Sequence, residues 1–216
     1  MIVISSRFSY RKWGARMSKL EQKKQKKLEA LLENTLELFT SKGIQDTSIS
    51  EIVQRAGVAK GTFYLYFKDK YDIRNVLIAH ESTKVFVKAE ARLRKENMEN
   101  FEDRIIFLAN DIVEQLANDK KLLMFISKNL SWGYFKAALT ENTRENTVDF
   151  KKIYEKMLRE SQKEFKDPEV MLFMIVELVS STCYSSILYG EPLPIEELKP
   201  YLFETIRSII RGQIIT

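Results

Sequence analysis

One cysteine, one histidine, four prolines and seven glycines in 216 residues exclude several classes of protein at once. A lone Cys183 forms no disulfide within the chain and no cysteine-based zinc site. That suits a reducing compartment, and a cytoplasmic protein is expected. Cys183 sits among small, apolar residues and reads as inert core. A lone His80 leaves no histidine pair for a metal or for catalysis, and it reads as a surface or hinge residue. Phosphate loop, nucleophile elbow and convergent acid–base groups are also missing, so no catalytic residue, metal ligand or cofactor is assigned. An all-helical enzyme remains only as a competing class. Few glycines and prolines, with no alternating run closed by a hairpin turn, argue against a sheet. The longest apolar run, VMLFMIVELV, contains Glu177 and is about half the length of a membrane span. No membrane partner is expected. The opening segment places its basic residues after the short apolar run Ile2 to Ile4, the wrong order for a signal peptide. Residues 1–16 lack a helical period and Met17 opens a more regular sequence. Residues 1–20 are therefore expected to be an arm, either disordered or arising from a start codon placed too early.

What is present is helical spacing almost throughout, which predicts an all-α protein. Charge is unevenly placed. Residues 1–72 carry 14 Lys and Arg against 8 Asp and Glu, a net of +6. The remaining residues carry 21 against 22, a net of −1. A polyanion partner is expected for the N-terminal third alone. A first helix is predicted from about Glu21 to Lys42, with Leu28, Leu31, Leu32, Thr35, Leu38 and Phe39 on one face and Gly43 as its left-handed stop. Its first turns hold Lys23, Lys24, Lys26 and Lys27, which oppose the helix dipole. An external anion would offset that. A membrane-surface role for this cluster fails if Leu28, Leu31 and Phe39 are buried.

The stretch TSISEIV predicts a second helix, with Ser48 as N-cap and Glu51 closing a capping box. Gly57 ends it, Val58 returns to the core, and a short third helix follows from about Ala59 to Phe67. Two short helices joined at a glycine are a helix-turn-helix. The third lies within VAKGTFYLYFKDK, four aromatics and three lysines in thirteen residues. Helical geometry puts Phe63 and Phe67 on the buried side, Gly61, Thr62, Tyr64 and Leu65 on the far side, and Lys60 and Tyr66 on the flanks. Ammonium and phenolic groups on such a face suit phosphates, Thr62 reaches a phosphate or base edge, and Leu65 suits a thymine methyl group. Gly61 permits close approach to another molecule. Lys70, at the start of the next helix, suits a phosphate.

The stretch TSISEIVQRAGVAKGTFYLYFKDKYDI, within residues 24–75, resembles the DNA-binding domain of the TetR family of transcriptional regulators. The resemblance implies a three-helix DNA-binding domain over 21–68 and a helical effector-binding and dimerisation domain over 69–216. It implies a homodimer on a palindromic operator in double-stranded DNA, in most members a repressor that leaves DNA when a small molecule binds. An activator, or a regulator needing a co-ligand, is the alternative. By motif match, DNA contacts are expected from Ser48, Lys60, Gly61, Thr62, Tyr64, Tyr66 and Lys70. Ala59 departs from the family, where many members have a polar residue, and Leu65 replaces a variable position, so the operator sequence stays open.

Beyond a fourth helix from Asp69 to about Lys95, helices are expected near 99–118, 120–130, 143–166, 168–189 and 195–211. The last two carry more apolar surface than a free outer helix, and by the resemblance they pair with their symmetry mates. Candidates for an effector pocket are Phe107, Phe125, Trp132, Tyr134, Tyr154, Phe173 and Glu177, each of which also reads as packed core, loop anchor or rim.

Overall fold

The structure, a computed structural model, describes residues 18–127 and 150–215. Among these residues the regular secondary structure is all helix, apart from one isolated bridge. The N-terminal part holds α1 (Lys19–Ser41), α2 (Ile49–Arg55), α3 (Lys60–Tyr66) and α4 (Lys70–Leu93). The C-terminal part holds α5 (Phe101–Asn118), α6 (Lys120–Ser127), α7 (Phe150–Glu160), α8 (Pro168–Tyr189) and α9 (Ile195–Gln213).

Local chemistry sets the ends of these helices. Helix α1 begins two residues earlier than its apolar spacing predicts, because Ser18 and Glu21 form a complete capping box. The Glu21 amide donates to Ser18 Oγ at 3.2 Å and the Ser18 amide to Glu21 Oε2 at 2.9 Å. At α2 only half of the expected box forms. The Glu51 amide donates to Ser48 Oγ at 3.2 Å, but the Glu51 carboxylate turns to the ammonium of Lys42. Gly43 and Gly57 take φ of +91° and +64°, the left-handed region that lets the chain reverse after α1 and α2. Asp69 caps α4, accepting from the Tyr71 and Asp72 amides at 2.8 and 2.9 Å.

Two apolar clusters form. The first gathers Leu28, Leu31, Phe39, Ile52, Phe63, Phe67, Ile73 and Leu77 from α1 to α4. Burial of Leu28, Leu31 and Phe39 excludes the membrane-surface reading of α1. The same cluster takes Phe125 and Ile126 from α6, with Phe125 at 6.4 Å from Phe39 between ring centroids. The second cluster lies among α4, α5, α7, α8 and α9, centred on Ala89, Val113, Met157, Met171, Ile206 and Ile210.

Helix α7 ends at Glu160, short of the expected Lys166. Gln162 has φ of +54°, and the chain then runs extended beside the end of α9, where Lys166 N–H donates to the Gln213 carbonyl at 2.7 Å and Ile215 N–H to the Glu164 carbonyl at 2.9 Å. The expected end of α6 at residue 130 and start of α7 at residue 143 lie outside the described residues. Helix α8 corrects a second expectation. Its ten-residue apolar run is short, yet the whole of Pro168–Tyr189 is long and apolar enough, by length and composition, to cross a membrane. In the fold it packs against α9, α6 and α5 and buries Met171, Leu172, Ile175, Cys183 and Ile187. Burial pushes the Cys183 thiol up to about 11, so it is protonated at neutral pH, in keeping with inert core.

Candidate nucleic-acid interface

Helix α3 is seven residues long, too short to be stable alone, and two rings hold it in place from behind. Phe63 is fully buried, Phe67 is 5% exposed, and their ring centroids are 5.5 Å apart. Tyr64 meets the edge of Phe63 at 5.5 Å and 85° and remains 53% exposed. Leu65 is 74% exposed, Lys60 and Gly61 are exposed, and Thr62 is half-buried. A Cβ added at Gly61 would meet no atom within 4 Å, so the backbone there is open to an incoming surface. The far side expected from helical geometry is thus assembled as one face.

The flanking groups are placed with more constraint. Tyr66 is half-buried and its hydroxyl donates to the Lys24 carbonyl at 3.2 Å, which ties the end of α3 to the start of α1. Lys70 is half-buried, and its ammonium donates to the carbonyls of Ile44, Gln45 and Thr47 at 2.8, 3.0 and 3.4 Å. It therefore braces the turn between α1 and α2 instead of standing free in solvent. Ser48 is exposed at the N-terminus of α2, with its hydroxyl oxygen engaged by Glu51 N–H and its own proton free to turn outward.

Sequence reasoning missed two neighbours of this face. Tyr71, 41% exposed, has the Lys70 ammonium 5.8 Å and the Arg74 guanidinium 5.3 Å from its ring centre. The YxxR spacing on α4 was the signal for that pair. The contact between Lys24 and Tyr66 has no sequence signal, since 42 residues separate the two.

The described effector candidates are not gathered in one place. Phe125 lies in the N-terminal cluster against Phe39, because α6 turns that face toward α1 and α4. Tyr154 is buried in the C-terminal cluster, its hydroxyl donating to the Pro168 carbonyl at 2.8 Å and its ring stacked on Phe150 at 6.3 Å. Burial, then the Asp167 charge, push its pKa up, so it acts as a neutral donor. Phe107 is half-buried against the same cluster, and Glu177 is half-buried on α8. Phe173 is 37% exposed and lines a cleft of about 330 Å³ with Asp167, Glu169 and Val170. Trp132 and Tyr134 lie outside the described residues. A second cleft, of about 320 Å³, runs between α4, α5 and α6 and is lined by charged groups including Glu81, Lys84, Lys88, Arg92 and Glu114. Burial works to raise the Glu81 carboxyl there, but bonds from His80 at 3.1 Å and Lys84 at 2.9 Å outweigh it and hold the group below its ordinary range. Among the described residues no cluster of His, Cys, Asp and Glu has the arrangement of a metal site.

Comparison with known proteins places this geometry. Residues 31–77 match the family model for bacterial regulatory proteins of the tetR family. A fatty acid metabolism regulator protein of Bacillus subtilis is 34% identical over 112 residues, which are 52% of this chain and 47% of that protein. The chain thus spans about half the length of that curated relative. The transcriptional regulator BetI of Cronobacter sakazakii is 24% identical over 187 residues, covering 84% of this chain and 90% of BetI. Among solved structures, the regulator FadR of Bacillus subtilis in complex with stearoyl-CoA superposes with a TM-score of 0.62 at 19% identity, over 86% of this chain and 98% of FadR. That likeness establishes a shared fold. The helix-turn-helix match and the shared fold agree: residues 31–77 carry the DNA-binding domain of the tetR family of bacterial regulatory proteins, on a chain whose overall fold is that of FadR.

Proposed function

We propose that the protein is a sequence-specific transcriptional repressor that binds a palindromic DNA operator as a homodimer and responds to a small molecule. The observation that carries this is the face of α3, where Lys60, Gly61, Thr62, Tyr64 and Leu65 stand outward over a floor of buried Phe63 and Phe67. An exposed tyrosine and a 74% exposed leucine on a seven-residue helix gain little in water. In a major groove the same groups meet phosphates and base edges. Ser48, Tyr66 and Lys70 are assigned to the same interface, with Tyr66 and Lys70 acting chiefly by fixing α3 and the turn before α2. Residues 21–68 are taken as the DNA-binding unit and 69–216 as the effector and dimerisation unit.

Dimerisation is assigned to α8 and α9. They pack on each other, yet leave Val170, Phe173, Tyr189 and Tyr201 between 37% and 67% exposed, apolar area that a second copy would cover. The protein is placed in the cytoplasm, where its DNA partner is. For the effector, the stearoyl-CoA bound by FadR makes a long-chain acyl thioester the first compound to test. Selection of bound duplexes from a random pool tests the function. The expected result is an enriched inverted repeat, with half-sites about one helical turn apart or a multiple of it. Recovery of duplexes with no shared sequence would overturn the reading.

A further inference from the structure

The lysine-rich start of α1 is unused by the interface described so far. Lys23, Lys24, Lys26 and Lys27 are all exposed. Lys23 and Lys27 are one turn apart, and Lys24 is a neighbour of Lys27 at three residues, so like charges crowd one another at the positive end of the helix dipole. The nearby carboxylates are engaged locally, Glu21 by the Ser18 amide and Glu29 by the Gln25 side chain, each at 2.9 Å. The capping box already serves the start of this helix, so whatever relieves the crowding acts on the ammonium groups.

The position of these lysines decides what that is. Lys24 lies four residues before Leu28 and seven before Leu31, so it continues the buried stripe of α1 one turn beyond the core. Its carbonyl accepts the Tyr66 hydroxyl at 3.2 Å, which holds this turn beside the end of α3. At about 100° per residue, Lys24, Lys27 and Lys23 stand roughly 40°, 100° and 140° round the helix from Leu28 in one sense, and Lys26 roughly 200° in that sense, opposite the buried stripe and beyond this flank. We infer that Lys23, Lys24 and Lys27 form a second DNA-contacting strip, which grips a phosphate strand flanking the groove entered by α3, and that Lys26 does not belong to it. The strip rests on the DNA-binding function proposed above. It contacts no base, so it adds affinity for any duplex and none of the sequence preference. Tyr66 serves it as a positioning residue, setting the distance between strip and recognition helix.

The test uses the full chain and a labelled 30-base-pair duplex of arbitrary sequence, with binding followed by fluorescence anisotropy across a salt series. Each phosphate contact contributes about 0.9 to the slope of log affinity against log salt. The triple variant Lys23→Gln, Lys24→Gln, Lys27→Gln is expected to lower the magnitude of that slope by about 2 to 3 per subunit and to weaken binding at least roughly tenfold near 100 mM salt. Its helical circular dichroism should match the wild type and its melting should be equal or slightly higher, because glutamine is as good a helix former as lysine and the changes remove like charge from the positive end of the helix dipole. Lys26→Gln should leave slope and affinity near the wild-type values. A triple variant with unchanged slope overturns the strip, as does a Lys26→Gln variant as weak as a single change within it. A wild type that binds neither this duplex nor any selected one overturns the function itself, a result distinct from the other two.

Discussion

Phe63 and Tyr64 are adjacent in sequence and opposite in role, which makes them the sharpest pair of residues in the molecule. Phe63 is fully buried and Tyr64 is half out of the surface. Phe63→Ala is expected to cost about 3 to 5 kcal/mol, the range for removing a buried phenylalanine. Tyr64→Ala should change stability by about 0.5 kcal/mol, or somewhat more for its edge contact with Phe63. Urea unfolding of the two variants checks this, and similar midpoints would show that the helix is rotated from the orientation described. This split was legible in the sequence because a 3.6-residue period sorts neighbours onto faces without any knowledge of the tertiary fold. The role of Lys70 was not. Its ammonium is held by three carbonyls of the turn between α1 and α2, a placement that depends on how α4 crosses that turn.

At the scale of elements, α6 departs furthest from expectation. Apolar spacing predicted the helix, but no local signal tells which of two cores takes its aromatic face. Phe125 and Ile126 enter the N-terminal cluster, while the same short helix also packs against α8. It is thus a direct mechanical link between the helix-turn-helix and the C-terminal helices, alongside α4. Phe125→Ala is expected to destabilise the N-terminal unit by about 3 to 5 kcal/mol. Hydrogen exchange resolved by peptide would register it as faster exchange in α1 and α4, with α8 and α9 near wild-type protection. Faster exchange confined to the C-terminal helices would instead return Phe125 to the effector region. The early end of α7 was hidden for a comparable reason. The return of residues 164–166 beside α9 is fixed by backbone bonds to Gln213 and Ile215, distant partners that helical periodicity does not encode.

For the molecule as a whole, charge and apolar surface divide the labour. The N-terminal third carries a net of +6 and the remainder a net of −1, so attraction to a polyanion belongs to that third, with Arg7, Arg11, Lys12 and Arg16 outside the described residues and the exposed lysines of α1 standing beside the end of α3. The longest apolar helix, α8, lies in the remainder, and Val170, Phe173, Tyr189 and Tyr201 of α8 and α9 stay exposed, the surface proposed above for a second copy. The sequence carried this division clearly, because net charge and a helix apolar all round are additive properties of the residues. It did not carry the effector site, since a cavity is set by the spaces between helices.

The most direct measurement is the affinity of wild type and Tyr64→Ala for the duplex recovered by selection, each compared with a scrambled duplex at the same salt. The face of α3 as the reader of DNA predicts that Tyr64→Ala binds the selected duplex about 5- to 150-fold more weakly, the equivalent of about 1 to 3 kcal/mol, with its melting temperature and oligomeric state retained. Equal affinity of the two folded proteins for that duplex would contradict it.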